Sequence, residues 1–167
     1  DILGVGVLIR GESGIGKSES ALALLERGYS LVSDDVTRVT LVDGRHIIGT
    51  SPELTREHME VRGLGIIHVA AMFGIRSVRL DKRLDLVVTL KPWEAVPDVD
   101  RVGMEQKTVE ILGVDIPHFI IPVRPGRDLA RLIEVAALHT KLKASGRNPA
   151  KEMNDRLLAQ MVGTPRL

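Results

Sequence analysis

Gly11-Glu12-Ser13-Gly14-Ile15-Gly16-Lys17-Ser18 constrains this chain more than any other stretch. It has the spacing of a phosphate-binding P-loop: glycine, four residues, then Gly-Lys followed by Ser or Thr. The flanks suit the motif. Val5-Gly6-Val7-Leu8-Ile9 ahead of it reads as a buried strand, and Glu19 to Arg27 behind it is a helix-forming run closed by Gly28. A strand, a glycine turn and a helix N-terminus in that order direct backbone N–H groups and the positive end of a helix dipole at one point. Lys17 can then reach the outer phosphates, and the Ser18 hydroxyl can fill a magnesium ligand position. The plainer alternative is a glycine-rich turn joining a strand to a helix. The motif therefore implies nucleotide or polyphosphate binding by Gly11, Glu12, Ser13, Gly14, Ile15, Gly16, Lys17 and Ser18, and leaves the reaction to be found elsewhere.

The remaining features narrow the class. A length of 167 residues suits one domain with a real core. A net charge of +1 and an aromatic content of 2% offer neither a basic field nor a stacking surface for nucleic acid. With no cysteine there is neither a disulfide framework nor a thiolate zinc site, which fits a reducing, cytoplasmic setting. No apolar run approaches the roughly 20 residues of a membrane-spanning helix, so no membrane partner is expected. The chain opens without Met inside a strand-like run, as a fragment of a longer protein would.

Read in order, residues 2–10 form a strand interrupted by Gly4 and Gly6, and 18–27 a helix. Residues 29–33 form a short strand ending in Asp34-Asp35. Residues 38–42 and 46–49 flank Asp43-Gly44, a hairpin signal. A short helix is expected around 55–59 and a short strand at 76–80. Residues 84–90 run apolar, as a strand buried on both faces would. Residues 98–106 read as loop, and 108–112 and 118–123 as strands. Asp128 caps a helix from 129 to about 143, and Asn148-Pro149 opens a last helix to about 161. The class is α/β with a mixed sheet and C-terminal helices, in a single domain over residues 1–167.

Phosphoryl transfer needs a phosphate cradle, a metal, a carboxylate to manage the acceptor proton, and cations for the transferred group. Asp34-Asp35 would meet the phosphates if its strand neighboured the glycine-loop strand, because ligands gather at the carboxyl ends of strands in open α/β sheets. One aspartate could then hold magnesium and the other take a proton. A turn-forming aspartate pair is the competing reading. Glu60 and Arg62, around Val61 and ahead of Gly63-Leu64-Gly65, suit a hard metal and phosphate oxygens, or equally a surface ion pair beside a turn. Asp100-Arg101-Val102-Gly103 carries a D-x-x-G, but no N-K-x-D accompanies it. Arg101 could instead face a transferred phosphoryl group. Arg124-Pro125-Gly126-Arg127 is a compact basic loop, either a phosphate holder or a solvated turn. The histidines at 46, 58, 68, 118 and 139 show no ligand spacing, so no zinc is expected.

Taken together, these motifs resemble the C-terminal catalytic domain of bacterial HPr kinase/phosphorylase. The resemblance rests on Gly11 to Glu19, the Asp34-Asp35 pair, Met59-Glu60-Val61-Arg62-Gly63-Leu64-Gly65-Ile66-Ile67, Asp100 to Gly103, and Ile121-Pro122-Val123-Arg124-Pro125-Gly126-Arg127-Asp128-Leu129. It implies a P-loop core similar to PEP carboxykinase. It also implies phosphorylation of a serine on HPr, the phosphocarrier protein of the sugar phosphotransferase system, with ATP or pyrophosphate as donor. Phosphorolysis by inorganic phosphate would reverse the modification and give pyrophosphate. By resemblance, Lys17 and the loop amides hold the β- and γ-phosphates, Ser18 and Glu60 bind Mg2+, Asp35 exchanges the serine proton, and Arg101 is an active-site cation. Asp34 lies beside the metal. Residues 59–68 serve both directions, and 122–127 mostly dephosphorylation. A homohexamer is the usual assembly. The family's H-G-x-x-x-D run would end at Asp1, with its histidine upstream. Another P-loop kinase or NTPase acting on a small molecule is the alternative.

Overall fold

The structure is a computed structural model and describes residues 1–96 and 107–162. A four-stranded sheet lies at its centre, in the order β1-β7-β9-β8. Strand β1 (Val7–Arg10) pairs in parallel with β7 (Leu86–Pro92), and β7 in parallel with β9 (Val114–Val123). Strand β8 (Thr108–Ile111) closes the edge antiparallel to β9. The sheet is therefore mixed, as the sequence pattern implies. Leu86, Val87 and Val88 on β7 are fully buried. That explains their unbroken apolar run, since a strand flanked on both sides and covered on both faces has no solvent side to mark with polar residues.

One face of the sheet carries two helices, α1 (Lys17–Glu26) and α3 (Leu129–Ala144). Leu24 of α1 and Ile133 and Ala137 of α3 meet Leu86, Val88 and Leu90 in the main core. Each of these leucines, isoleucine and valine contributes about 1.5–3 kcal/mol relative to exposure, and the Ala137 methyl about 0.8 kcal/mol. Asp128 caps α3 by accepting the Arg131 N–H at 3.0 Å, the role its position predicts. It also pairs with Arg27 at 3.0 Å, tying the end of α1 to the start of α3. The opposite face is covered by an antiparallel sheet of β2 (Arg38–Val42), β3 (His46–Thr50) and β6 (Asp81–Arg83), through Ile47, Leu84, Val87 and Ile116. Asp43 and Gly44 turn the β2–β3 hairpin with φ of 53° and 67°, the left-handed pair its sequence anticipates. Arg45 belongs to the turn, because pairing starts at Val42 and His46.

A third unit sits beyond α1. Strands β4 (His58–Val61) and β5 (Gly65–His68) form a hairpin that leads into α2 (Val69–Phe73). Met59, Val61 and Val69 bury against Leu25. The last helix, α4 (Pro149–Val162), starts where Asn148 accepts the Lys151 N–H at 3.3 Å.

Four expectations change. Residues 2–6 are not strand: Ile2 and Val5 bridge each other across Leu3 and Gly4, both at positive φ (53° and 89°), so the chain turns before β1 begins. The expected helix over 55–59 is instead a single 3-10 turn, Glu53–Thr55, followed by β4. Residues 76–80 hold a 3-10 turn, Ile75–Ser77, in place of a strand. Residues 29–33 make only one parallel bridge, Leu31 with Val78, and never join the central sheet. The neighbour of β1 is β7. The loop expected over 98–106 lies outside the described residues.

Candidate functional site

Three connections leave the sheet at the carboxyl ends of β1, β7 and β9, and they define one working edge. The first is the glycine loop. Gly14 has φ of 80° and Gly16 φ of 112°, conformations L side chains rarely adopt. Gly11 is fixed by space, since a Cβ there would lie 2.8 Å from Ile15 Cγ2 and 3.0 Å from the Leu90 carbonyl oxygen. Gly16 leads into α1 without any side-chain cap, which leaves the first-turn N–H groups free to face a ligand. The Lys17 ammonium lies over this loop and donates to the carbonyl oxygens of Gly11 at 2.8 Å and Glu12 at 2.9 Å. Backbone donors, a helix N-terminus and one ammonium make an anion cradle.

The acids arrive by a route the sequence does not suggest. Asp34 and Asp35 follow no sheet strand, yet they line the same cavity of about 670 Å3 as Gly11, Lys17 and Ser18, above an apolar floor of Leu8, Ile9 and Leu84. Asp34 is held by the hairpin: its Oδ2 accepts the backbone N–H of Glu60 at 2.9 Å. Burial pushes the Asp34 carboxyl above its ordinary range. The Glu60 N–H lowers it, the charges of Asp35 and Glu60 push it up, and Lys17 pulls it back down. Asp34, Asp35, Glu60 and Lys17 thus form one electrostatic unit.

That unit fits magnesium in a limited way. Among the described residues no three His, Asp or Glu side chains form a cation cage. The available donors are oxygens: the Ser18 hydroxyl and the carboxylates of Glu60 and Asp34. Magnesium is usually held by one or two such groups together with phosphates and water. Mutually repelling carboxylates beside a phosphate cradle suit it.

Arginines complete the edge. An added Cβ on Gly14 would lie 3.1 Å from Arg62 Nη1, so the turn of the β4–β5 hairpin rests its guanidinium on the glycine loop. Arg62 forms no ion pair with Glu60 among the described residues. Arg124 and Arg127, after β9, both lie over the ring of Trp93, after β7. Arg101 lies outside the described residues. The histidines stay apart from the cavity: His118 bonds Thr89 Oγ1 at 2.8 Å, and His58 and His68 meet edge to face. The sequence reading overlooked the Asp34–Glu60 bond, which has no local signal, and Trp93. Trp93 did carry one, as the only tryptophan of the chain, placed directly after the central strand.

The fold and site define a mixed α/β domain that presents an anion cradle to an acidic cluster. The chain belongs to the HPr serine kinase C-terminal domain family, whose profile matches residues 1–157. It is 47% identical over 165 residues to the HPr kinase/phosphorylase of Geobacter sulfurreducens, covering 99% of this chain and 52% of that protein. It is 48% identical over 157 residues to the HPr kinase/phosphorylase of Bacillus licheniformis, covering 94% of this chain and 51% of that one. The chain therefore spans about half the length of the curated relatives it matches. Among solved structures, the Hpr(Ser) kinase/phosphatase from Coxiella burnetii superposes with a TM-score of 0.81 at 37% identity, over 87% of this chain and 88% of that one. No helix among the described residues is long and apolar enough to cross a membrane.

Proposed function

We propose that this chain is a P-loop catalytic domain, spanning residues 1–167 and similar in its core to PEP carboxykinase, that phosphorylates a serine of HPr and reverses that modification by phosphorolysis. The observation that carries the reading is the convergence of Lys17, Ser18, Asp34 and Asp35 on one cavity. Membership of the HPr serine kinase family supplies the acceptor.

In the forward direction the loop amides and Lys17 bind the terminal phosphates of ATP or pyrophosphate. Asp35 takes the serine proton while the serine oxygen attacks the terminal phosphorus and the donor's bridging P–O bond breaks. In reverse, an oxygen of inorganic phosphate attacks the phosphoserine phosphorus, the serine O–P bond breaks, and Asp35 returns the proton to serine. Pyrophosphate can replace ATP because the cradle reads phosphates. Magnesium, held by Ser18 and Glu60, supplies charge neutralisation when bound. Arg101 serves as an active-site cation. The domain works in the cytoplasm as part of a homohexamer, with HPr as partner and neither nucleic acid nor membrane involved.

Incubation with HPr, magnesium and pyrophosphate tests the reading. Phosphoserine on HPr, removed again by added inorganic phosphate, is the expected result. Transfer to a small acceptor in place of HPr would refute it.

A further inference from the structure

The residue that opens the acid-bearing segment is fastened to both helices that cover the sheet. Helix α1 ends at Gly28, whose φ of 90° reverses the chain. The Gly28 N–H closes on the Leu25 carbonyl at 2.9 Å, and the Tyr29 N–H on the Leu24 carbonyl at 3.2 Å. This Schellman turn fixes Tyr29 to the last turn of α1. The Tyr29 ring packs against the main core, and its hydroxyl donates to Glu134 Oε1 on α3. Glu134 Oε2 accepts from Arg27 Nη1 at 2.9 Å, and Arg27 Nη2 donates to Asp128 Oδ2 at 3.0 Å. One guanidinium and one hydroxyl thus pin the end of α1 to the start of α3.

The Tyr29 hydroxyl holds the Glu134 carboxyl below its ordinary range. Burial opposes it, and Arg27 and Arg131 reinforce it. Glu134 is therefore ionised at neutral pH and accepts from both donors. The Arg27 and Glu134 side chains are 30% and 24% exposed, and pairs this open to water add little to stability. Their consequence is geometric. Helix α1 carries Lys17 and Ser18 at its start and Tyr29 just past its end, and Tyr29 lines the same cavity as Lys17, Ser18, Asp34 and Asp35. Residues 29–33 join no strand of the central sheet, so sheet register does not set the separation of cradle and acids. Ser30 bonds Asp1 and Arg76, and Leu31 bonds Ser77 and Arg79, all away from both helices. The path from cradle to acids runs along α1 and back through Tyr29, and the Glu60 N–H fastens its far end.

We infer that Tyr29, Arg27 and Glu134 are positioning residues for phosphoryl transfer: they lock α1 against α3 and so hold the cradle at a fixed separation from Asp34 and Asp35. This rests on the phosphoryl-transfer reading above. Phosphate binding by the loop needs only the glycine turn and the first turn of α1. Transfer needs the acids at the right distance as well, and a misplacement of about 1 Å can cost up to about a hundredfold in rate. The network therefore acts on kcat and spares the KM for the donor.

Tyr29→Phe keeps the ring and removes the bond. In turnover with HPr it should lower kcat by roughly tenfold in both directions, with KM for pyrophosphate within about twofold of wild type. Its Tm should stay within about 4 °C of wild type, because the lost bond belongs to a partly exposed network. Glu134→Leu should lose at least as much kcat. Glu134→Gln, whose amide oxygen still accepts the Tyr29 hydroxyl, should recover most of it. Tyr29→Phe/Glu134→Leu should fall no further than Glu134→Leu alone, since both changes break the same bond. An unchanged kcat, a Gln variant no better than Leu, or a rise in the pyrophosphate KM that matches the fall in kcat overturns the inference.

Backbone NMR of this chain, without any substrate, separates the inference from the proposed function. Tyr29→Phe should shift the amide signals of Lys17, Ser18, Asp34 and Asp35. It should also speed exchange of the Glu60 N–H, which Asp34 holds, by about threefold or more. Changes confined to residues 27–30 and 131–135 overturn the inference even in an active enzyme. A wild-type chain inactive on HPr would sink the proposed function, and the NMR result alone would then decide whether this network sets the separation of cradle and acids.

Discussion

Asp34 Oδ2 accepts the backbone N–H of Glu60 at 2.9 Å, and this one bond joins the acid pair to the β4–β5 hairpin. The two residues lie 26 positions apart. Without the bond, Asp34 and Asp35 would follow a segment that pairs with no sheet strand, and the Glu60 carboxylate would have no fixed relation to Lys17. With it, the carboxylates are held at the mouth of the glycine loop against their own repulsion.

Cation binding should therefore depend on pH in a set direction. The Asp34 carboxyl binds its proton more tightly in the folded chain than in the unfolded one, where its value is 3.8. Its ionisation thus costs native stability. The cost begins above the unfolded value and is complete once pH exceeds the raised folded value. A divalent cation offsets it. We predict that saturating magnesium, about a hundredfold over Kd, raises Tm by roughly 5–10 °C at pH 7.5. The gain should shrink as pH falls toward the raised Asp34 value and be reduced in Asp34→Asn. Thermal unfolding with and without magnesium across pH checks this, and a gain indifferent to both pH and Asp34 would contradict it.

Asp35→Asn should abolish phosphorylation and phosphorolysis together while ATP still binds. The change is nearly isosteric, so the cavity keeps its shape, but an amide neither takes nor returns the serine proton. A loss of roughly 10²–10⁴ in rate is expected in each direction, the usual scale of general acid–base catalysis. Calorimetric ATP binding should stay within a fewfold of wild type by the same logic. Robust kinase activity in this variant would remove Asp35 from the proton-transfer role.

How much of this was legible in the sequence follows from the range of each interaction. The glycine loop could be read because its eight residues are contiguous and its needs are backbone needs. The central strand could be read because burial on both faces leaves a continuous apolar run. The β4 strand was there to be read as well: Met59 and Val61 are buried while Glu60 between them is exposed, a period of two, with Gly63 and Gly65 flanking Leu64 in the turn. The polar connection that begins at Ser51 suggests a short helix around 55–59, and that expectation hides the alternation. The five residues of α2 are too few to show a period at all. The turn at Leu3 and Gly4 was hidden for another reason, because a non-glycine residue at φ of 53° has no signature in an apolar stretch. The acid pair lines the cavity beside the glycine loop by another route than the strand neighbour its sequence suggests. A hairpin backbone N–H holds it, and no neighbouring strand does.

Gly14→Ala separates two demands on the loop. At φ of 80° an alanine pays the left-handed penalty, about 1–2 kcal/mol. Its Cβ would also press on Arg62 Nη1 at 3.1 Å, the end of a flexible side chain that can yield. Backbone strain should therefore dominate, and Tm should fall by roughly 2–8 °C. The double variant Gly14→Ala/Arg62→Ala should keep most of that loss. Full recovery of Tm in the double variant would mean that the arginine contact, and not the backbone, fixes the glycine.

Gly6→Ala tests the junction that aims β1 at the site. Gly6 donates to Asp85 Oδ2 at 2.9 Å, and its carbonyl accepts the N–H groups of Asp85 at 2.8 Å and Leu86 at 3.0 Å. A Cβ there would lie 1.8 Å from the Arg83 carbonyl oxygen and 2.9 Å from its carbon. Both are backbone atoms of the last residue of β6, so relief requires shifting the end of that strand or the start of β1. Overpacking of this kind costs about 3 kcal/mol or more, which lowers Tm by roughly 6–12 °C. Gly49→Ala on β3 is the matched control. Its Cβ would meet Thr37 Cγ2 at 3.4 Å and the Lys82 oxygen at 3.8 Å, ordinary contacts in a strand without positive φ. A Tm change of less than about 3 °C is expected there. If both variants lose the same stability, strand glycines in general are sensitive, and the close approach of Gly6 to Arg83 is not what seats β1 against β7.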